Sequence, residues 1–304
     1  MPLSGTIIEL LTAENPALDL RRQPSGAVTQ SVHYQNLEPD QVLDWPDFTY
    51  DNIKAAYGHL FDIGPLHSDA IQDLRGSPGE IEKEAHVDDV VLDWNWRICR
   101  HPLKHGAEKI QSDLGVERCD ITMRHLGHDS KDPSSDAKAK APDWCIFLRD
   151  RQDPDDEKRI IAVWGDSKCS SKWASDPSRL AARYKANWIW PFRQVLTYCV
   201  NNATRYGYIL TPEEVVVLRV YEDRVATPAA PWRVQHAAVP WSNSGDGVLT
   251  VNLAIWALAM MSLNEGHRPI RNLNMTLPLD VWWEDLPLSE EDTGRRRTKR
   301  LRQH

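Results

Sequence analysis

Short apolar runs separated by polar, turn-rich stretches occupy the middle of the chain. Residues 143–149 and 159–167 are rich in β-branched and aromatic side chains, which predicts two strands. The polar stretch 150–158, with Pro154 in it, suits a hairpin connection between them. Residues 206–210 and 215–221 predict two further strands, with Thr211-Pro212 in the turn. Residues 252–264 are apolar on nearly every face and predict a buried helix that ends near Gly266. Upstream, 85–110 carries Val87, Val90, Val91, Trp94, Ile98 and Leu103 at helical spacing, and Pro102 is expected to kink or divide that helix. Residues 118–126 predict a strand, and 127–141 form the clearest loop. Asp176-Pro177 has the signature of a helix start, with Asp as cap and Pro at the first helical position. That helix is expected to break at Pro191 and resume over 192–202. Nearer the N-terminus, Ile53, Ala56, Tyr57, Leu60 and Phe61 give 51–61 a helical spacing. The order of helix, strands, helix, strands predicts an α/β fold with helices packed on a central mixed sheet.

Composition adds bounds. A length of 304 residues suffices for one large domain or two small ones with a sizeable core. Hydrophobic residues at 41% and charged residues at 26% are ordinary for a soluble globular chain. Residues 1–80 are rich in Pro, Gly and Asp, and read as an N-terminal accessory region, partly irregular. No internal repeat is visible. The formal net charge of -8 gives no global pull toward nucleic acid, so such binding needs a local basic patch. No apolar run approaches the length of a membrane span, so no membrane partner is expected. The N-terminus lacks the basic start and long apolar segment of a secretory signal. The five cysteines, Cys99, Cys119, Cys145, Cys169 and Cys199, include no CxxC pair and point to free thiols in a reducing, intracellular compartment. Gly-rich phosphate loops are absent.

The chemistry-bearing residues sit at strand ends. The chain has four Asp-x-Lys triplets, at Asp129–Lys131, Asp136–Lys138, Asp156–Lys158 and Asp166–Lys168. Three lie in polar surroundings. Only Asp166–Lys168 closes an apolar strand. Strand residues alternate faces, so Asp166 and Lys168 point to the same side. Asp143 opens the preceding strand, and antiparallel pairing would bring that start beside the end of the next. Hard cations such as Mg2+ take oxygen ligands, usually one or two carboxylates with water and substrate phosphate. Asp143 and Asp166 are the candidate carboxylates, and the carbonyl of Ser167 could add an oxygen. Lys168 could orient or activate a water, or stabilise charge in the transition state. On the following helix Gln194 and Tyr198 share a face. Gln194 could reach the metal site or a nucleic-acid backbone, with Tyr198 as buttress. The competing reading is a surface hairpin whose charges merely face solvent, with Tyr198 in the core.

This ordered set resembles the PD-(D/E)XK nuclease superfamily, the restriction-endonuclease-like fold. Pro142-Asp143 falls on one strand, Asp166-Ser167-Lys168 on the next, and Gln194 and Tyr198 on the helix after it. Within the superfamily the chain is most similar to the fungal PD-(D/E)XK nuclease-like domain proteins. In that group a Trp-Asn helix and a His-Pro-Leu segment precede the core, as Trp94-Asn95 and His101-Pro102-Leu103 do here. The resemblance covers about residues 80–265 and divides the chain into an accessory region 1–80, a nuclease-like domain 81–270 and an extension 271–304. It implies a core of order α-β-β-β-α-β, dependence on Mg2+ (or Mn2+), and hydrolysis of phosphodiester bonds, in DNA rather than RNA. Many members carry a further metal-binding acid on the first helix. Glu84, Asp88, Asp89 and Asp93 are available, and Asp93, adjoining Trp94-Asn95, is the one expected. The alternative is a catalytically inactive module of the same fold that binds nucleic acid or protein.

Thirteen tryptophans are unusual. Trp164, Trp173, Trp188 and Trp190 lie near the candidate site and could stack on bases, although tryptophan is more often core. His101 with His105, and His125 with His128, lack a zinc pattern and are read as surface or capping residues. Arg295, Arg296, Arg297, Lys299, Arg300 and Arg302 form a basic run that fits phosphate binding or a nuclear localisation signal, after an acidic patch at 284–292.

Overall fold

A computed structural model describes residues 3–21, 26–71, 80–113, 118–126, 142–152, 159–223, 231–273 and 279. In chain order, β1 (Leu3–Gly5), α1 (Ile7–Leu11), β2 (Val42–Asp44), α2 (Tyr50–Phe61) and β3 (Leu66–Ser68) make the N-terminal part. A long helical stretch follows as α3 (Glu84–Val90), a π-helical turn (Val91–Trp96) and α4 (Arg97–Asp113). Then come β4 (Ile121–His125), β5 (Trp144–Gln152), β6 (Arg159–Ser167), α5 (Trp190–Asn201), β7 (Tyr206–Leu210), β8 (Glu214–Glu222), β9 (Trp232–Pro240) and α6 (Val251–Ser262).

Seven strands form one mixed sheet of order β2-β9-β8-β7-β6-β5-β4. β4, β5 and β6 are an antiparallel meander, while β7 lies parallel to β6. That parallel step needs a crossover, and α5 supplies it. Alternation along each strand buries both faces. Tyr206, Tyr208, Leu210, Val215 and Val217 join a core beneath α1, α2, α3, α4 and α6. Ile209, Val216, Leu218 and Val220 face the other way, toward Phe192, Val195 and Leu196 of α5. The fold is therefore α/β, with a mixed sheet between helical layers.

The helix 85–110 exists, but its irregularity falls at the π turn, and Pro102 lies inside α4. The Asp176 cap forms, with its side chain accepting from Ser178 N at 2.7 Å, yet it starts only a 3-10 turn at Pro177–Arg179. Pro191 does not break a helix. It sits in the first turn of α5, where its missing N–H costs nothing.

Residues 1–80 are more integrated than their composition predicts. β2 joins the edge of the main sheet parallel to β9. Ile7, Leu11, Trp45, Ile53, Tyr57 and Leu60 are buried in the same core as Trp256. Trp241 Nε1 donates to the carbonyl of Pro16 at 2.9 Å. All five cysteines are buried, and none is in a disulfide. Among the described residues no helix is long and apolar enough to cross a membrane. The loop 127–141, the polar connection 153–158, the acidic patch 284–292 and the basic run 295–302 lie outside the described residues.

Candidate functional site

The site lies where β5 begins and β6 ends. Trp144 pairs with Gly165 across the two strands, so the preceding Asp143 comes level with Asp166. The backbone N–H of Ser167 donates to Asp143 Oδ2 at 2.9 Å and fixes that carboxylate across the pair. Beyond the strand end, Lys168 N donates to the carbonyl of Leu210 at 2.9 Å, which holds the lysine in extended register.

On the α5 face, Asp166 and Lys168 point the same way, as period-2 geometry requires. Lys168 Nζ donates to Asp166 Oδ2, and also to the carbonyl of Ser167 at 3.1 Å. Gln194 Nε2 reaches the other oxygen, Asp166 Oδ1, at 2.9 Å and the hydroxyl of Tyr198 at 2.7 Å. Asp166 and Gln194 are 0% exposed and Lys168 is 1% exposed. Burial pulls the Lys168 amine down, but attraction to Asp166, Asp143 and Glu84 outweighs it and holds the amine above its ordinary value. The lysine is thus a fixed cation.

The opposite face carries a group that the sequence left unresolved. Ser167 points there, and its hydroxyl accepts from Trp144 Nε1 at 3.1 Å. The same indole N–H donates to Asp88 Oδ1 at 2.9 Å, so α3 delivers Asp88 to this point. His125 Nε2 stands 3.6 Å from Asp88 Oδ2, with its ring 4.8 Å from Trp144. Burial first, and then the charge of Asp143, raise the Asp88 carboxyl above its ordinary value.

Asp93 is engaged elsewhere. Its carboxylate pairs with Arg97 at 3.4 Å, and Arg97 also holds Asp69 at 3.0 Å. Asp93 lies in the π turn, past the α3 segment that carries Asp88. The acids of α3 that act on the site are Asp88 and Glu84, the latter bonded to Lys172 at 3.3 Å. The sequence also missed His125, read as a surface or capping residue, because only the β4–β5 pairing brings it to Asp88. His128 lies outside the described residues. Trp164 and Trp173 are buried core residues, which removes them as base-stacking platforms, while Trp188 and Trp190 are half-buried.

Among the described residues no three His, Cys, Asp or Glu side chains form a metal-holding cluster. A Mg2+ site needs only one or two carboxylates beside water and phosphate. The donor chemistry fits that requirement, because Asp143 and Asp88 are hard oxygen donors whose mutual repulsion a cation would relieve. The Ser167 carbonyl is taken by the Lys168 amine. No family model, no curated protein and no solved structure matches this chain.

Proposed function

We propose that this chain is a nuclease-like hydrolase of the PD-(D/E)XK type, acting on phosphodiester bonds in DNA with Mg2+ or Mn2+. One observation carries the reading: Asp166, Lys168 and Gln194 meet at one point, and Asp143 stands level with Asp166 across the strand pair. The element order supports it. From residue 84 the chain runs helix, three antiparallel strands, helix, and a strand parallel to the third, which is the order that a restriction-endonuclease-like core requires.

Asp143 and Asp166 are the carboxylates that would hold the cation, with Asp88 in the place expected for Asp93. When bound, Mg2+ supplies acidity to water and charge stabilisation at phosphate. Lys168, held as a cation, is suited to stabilise developing negative charge rather than to accept a proton. Gln194 fixes the orientation of Asp166 through its amide N–H, and Tyr198 accepts the second N–H and braces the amide.

Linear and circular DNA incubated with the protein and Mg2+ test the reading. Cleavage is expected from the wild type, with a loss of at least about 100-fold in Asp166→Asn. Asparagine is preferred to alanine, because it keeps a hydrogen-bond acceptor beside the buried Lys168 amine and Gln194. Identical cleavage by both proteins would refute the hydrolase.

A second reading, a non-catalytic module, is favoured by the complete burial of the Asp166–Lys168 pair, which then serves as a structural ion pair. A Mg2+ titration separates the two. The hydrolase predicts a rise in melting temperature with Mg2+ that Asp143→Asn abolishes, and the module predicts none.

A further inference from the structure

The segment 26–38 has no regular secondary structure, yet it is tied along α5. Gln30 Nε2 donates to Asn187 Oδ1 at 2.7 Å, just ahead of the helix. Gln35 N donates to Thr197 Oγ1 at 2.8 Å. Arg193 Nε donates to the carbonyl of Leu37 at 2.8 Å, and Leu37 is itself fully buried. Between the first two ties stands Tyr34, with its ring 6.4 Å from that of Trp190. Trp190, Gln194 and Tyr198 are spaced four apart and share one helix face. Tyr34 therefore crosses the face from which Gln194 reaches Asp166.

Its hydroxyl has no partner. Tyr34 is 7% exposed, and its hydroxyl oxygen is buried without a hydrogen bond. The charges of Asp166, Lys168 and Asp143 all act on that hydroxyl. A second orphan belongs to the residue that holds Asp166: Gln194 Oε1 is buried and unpartnered while its N–H groups bond to Asp166 and Tyr198. Leaving a buried polar group unsatisfied costs about 1–3 kcal/mol, so two in the neighbourhood of Asp166 need an explanation. The unspent Tyr34 donor, within the field of Asp166 and Lys168, describes a place for a ligand that presents an oxygen acceptor, while Gln194 Oε1 can be satisfied only by a donor such as water.

We propose that Tyr34 is a substrate-binding residue of this site, its hydroxyl donating to a non-bridging oxygen of a phosphodiester. The segment 26–38 is then the part of the chain that completes the site and separates it from solvent. This inference rests on the hydrolase reading for the identity of the ligand. The hydroxyl stays protonated at neutral pH, since burial and then the nearby Asp166 push it up to about 12, so it is a donor.

Two readouts on Tyr34→Phe test the proposal: cleavage of duplex DNA in Mg2+, and equilibrium binding of the same duplex in metal-free buffer. The ring that packs on Trp190 remains, and removal of an orphan hydroxyl leaves the melting temperature unchanged or higher. The expected result is binding weakened roughly tenfold or more, with kcat/KM falling at least as far. Unaltered binding and cleavage in Tyr34→Phe overturn the proposal while the hydrolase reading stands. If wild type and Asp166→Asn cleave identically, the hydrolase reading fails. Binding then decides alone: a tenfold loss keeps Tyr34 as a phosphate contact, and equal affinities, or a wild type that binds no duplex, overturn it. A lowered melting temperature with unchanged affinity marks a packing residue and overturns the proposal too.

Discussion

Asp88 shows how one carboxylate can be costly in the folded chain and still belong to the site. Burial and the charge of Asp143 raise it, against Ser167, Trp144 and His125, which lower it. Unfolding returns it to the ordinary value near 3.8. Between the two values the folded chain binds the proton more tightly, so stability falls as pH rises through the folded value. Asp88→Asn keeps an oxygen acceptor for Trp144 and removes the charge. It is expected to melt higher than wild type at about pH 7 and to lose that advantage below about pH 4, where the wild-type carboxyl is neutral. Thermal melts at both pH values check this, and a variant that melts lower at neutral pH would contradict it. The residues legible in the sequence, Asp143, Asp166, Lys168 and Gln194, sit on elements whose period fixes their direction. Asp88, His125 and Tyr34 were not legible, because docking rather than local period aims each of them. Four acids on or near one helix cannot be ranked without knowing where the π turn rotates the chain.

The elements of the site are held at unusually close range. Gly165 on β6 faces Tyr208 of β7, and a Cβ at position 165 would lie 2.3 Å from Tyr208 Cζ. Gly207 lets α5 approach the sheet, since a Cβ there would lie 2.5 Å from Val195 Cγ1. Gly165→Ala is therefore expected to destabilise by about 1–3 kcal/mol through overpacking. The cost should shrink in a Tyr208→Ala background, since the two residues share one space. Urea denaturation of the four proteins of that cycle gives the answer, and strict additivity would show that the ring is not the obstacle. Strand positions were largely legible: 159–167 and 206–210 coincide with β6 and β7, where apolar runs end sharply at polar residues. β9 escaped notice. Trp232–Pro240 carries Arg233, Gln235 and His236 among its apolar residues, and its pairing with β8 rather than its own pattern makes it a strand.

On the scale of the whole molecule, the division at residue 80 does not coincide with a break in packing. A chain lacking residues 1–80 loses β2 from the sheet and Trp45, Tyr57 and Leu60 from the core that contains Tyr206 and Trp256. Such a truncation is expected to melt without a cooperative transition, as read by calorimetry; a sharp two-state melt would mean that the remainder folds alone. Composition hid this integration, because Pro, Gly and Asp govern local stiffness and say little about burial by distant partners. The long reach of these contacts also sets an order of events during synthesis. Asn15 and Pro16 bond to Trp241, more than 220 positions later, and β2 waits for β9. β2 and its apolar neighbours are made well before β9 and α6, and stay without those partners until the later elements have emerged. High contact order of this kind slows folding and lengthens the time for which sticky surface is exposed.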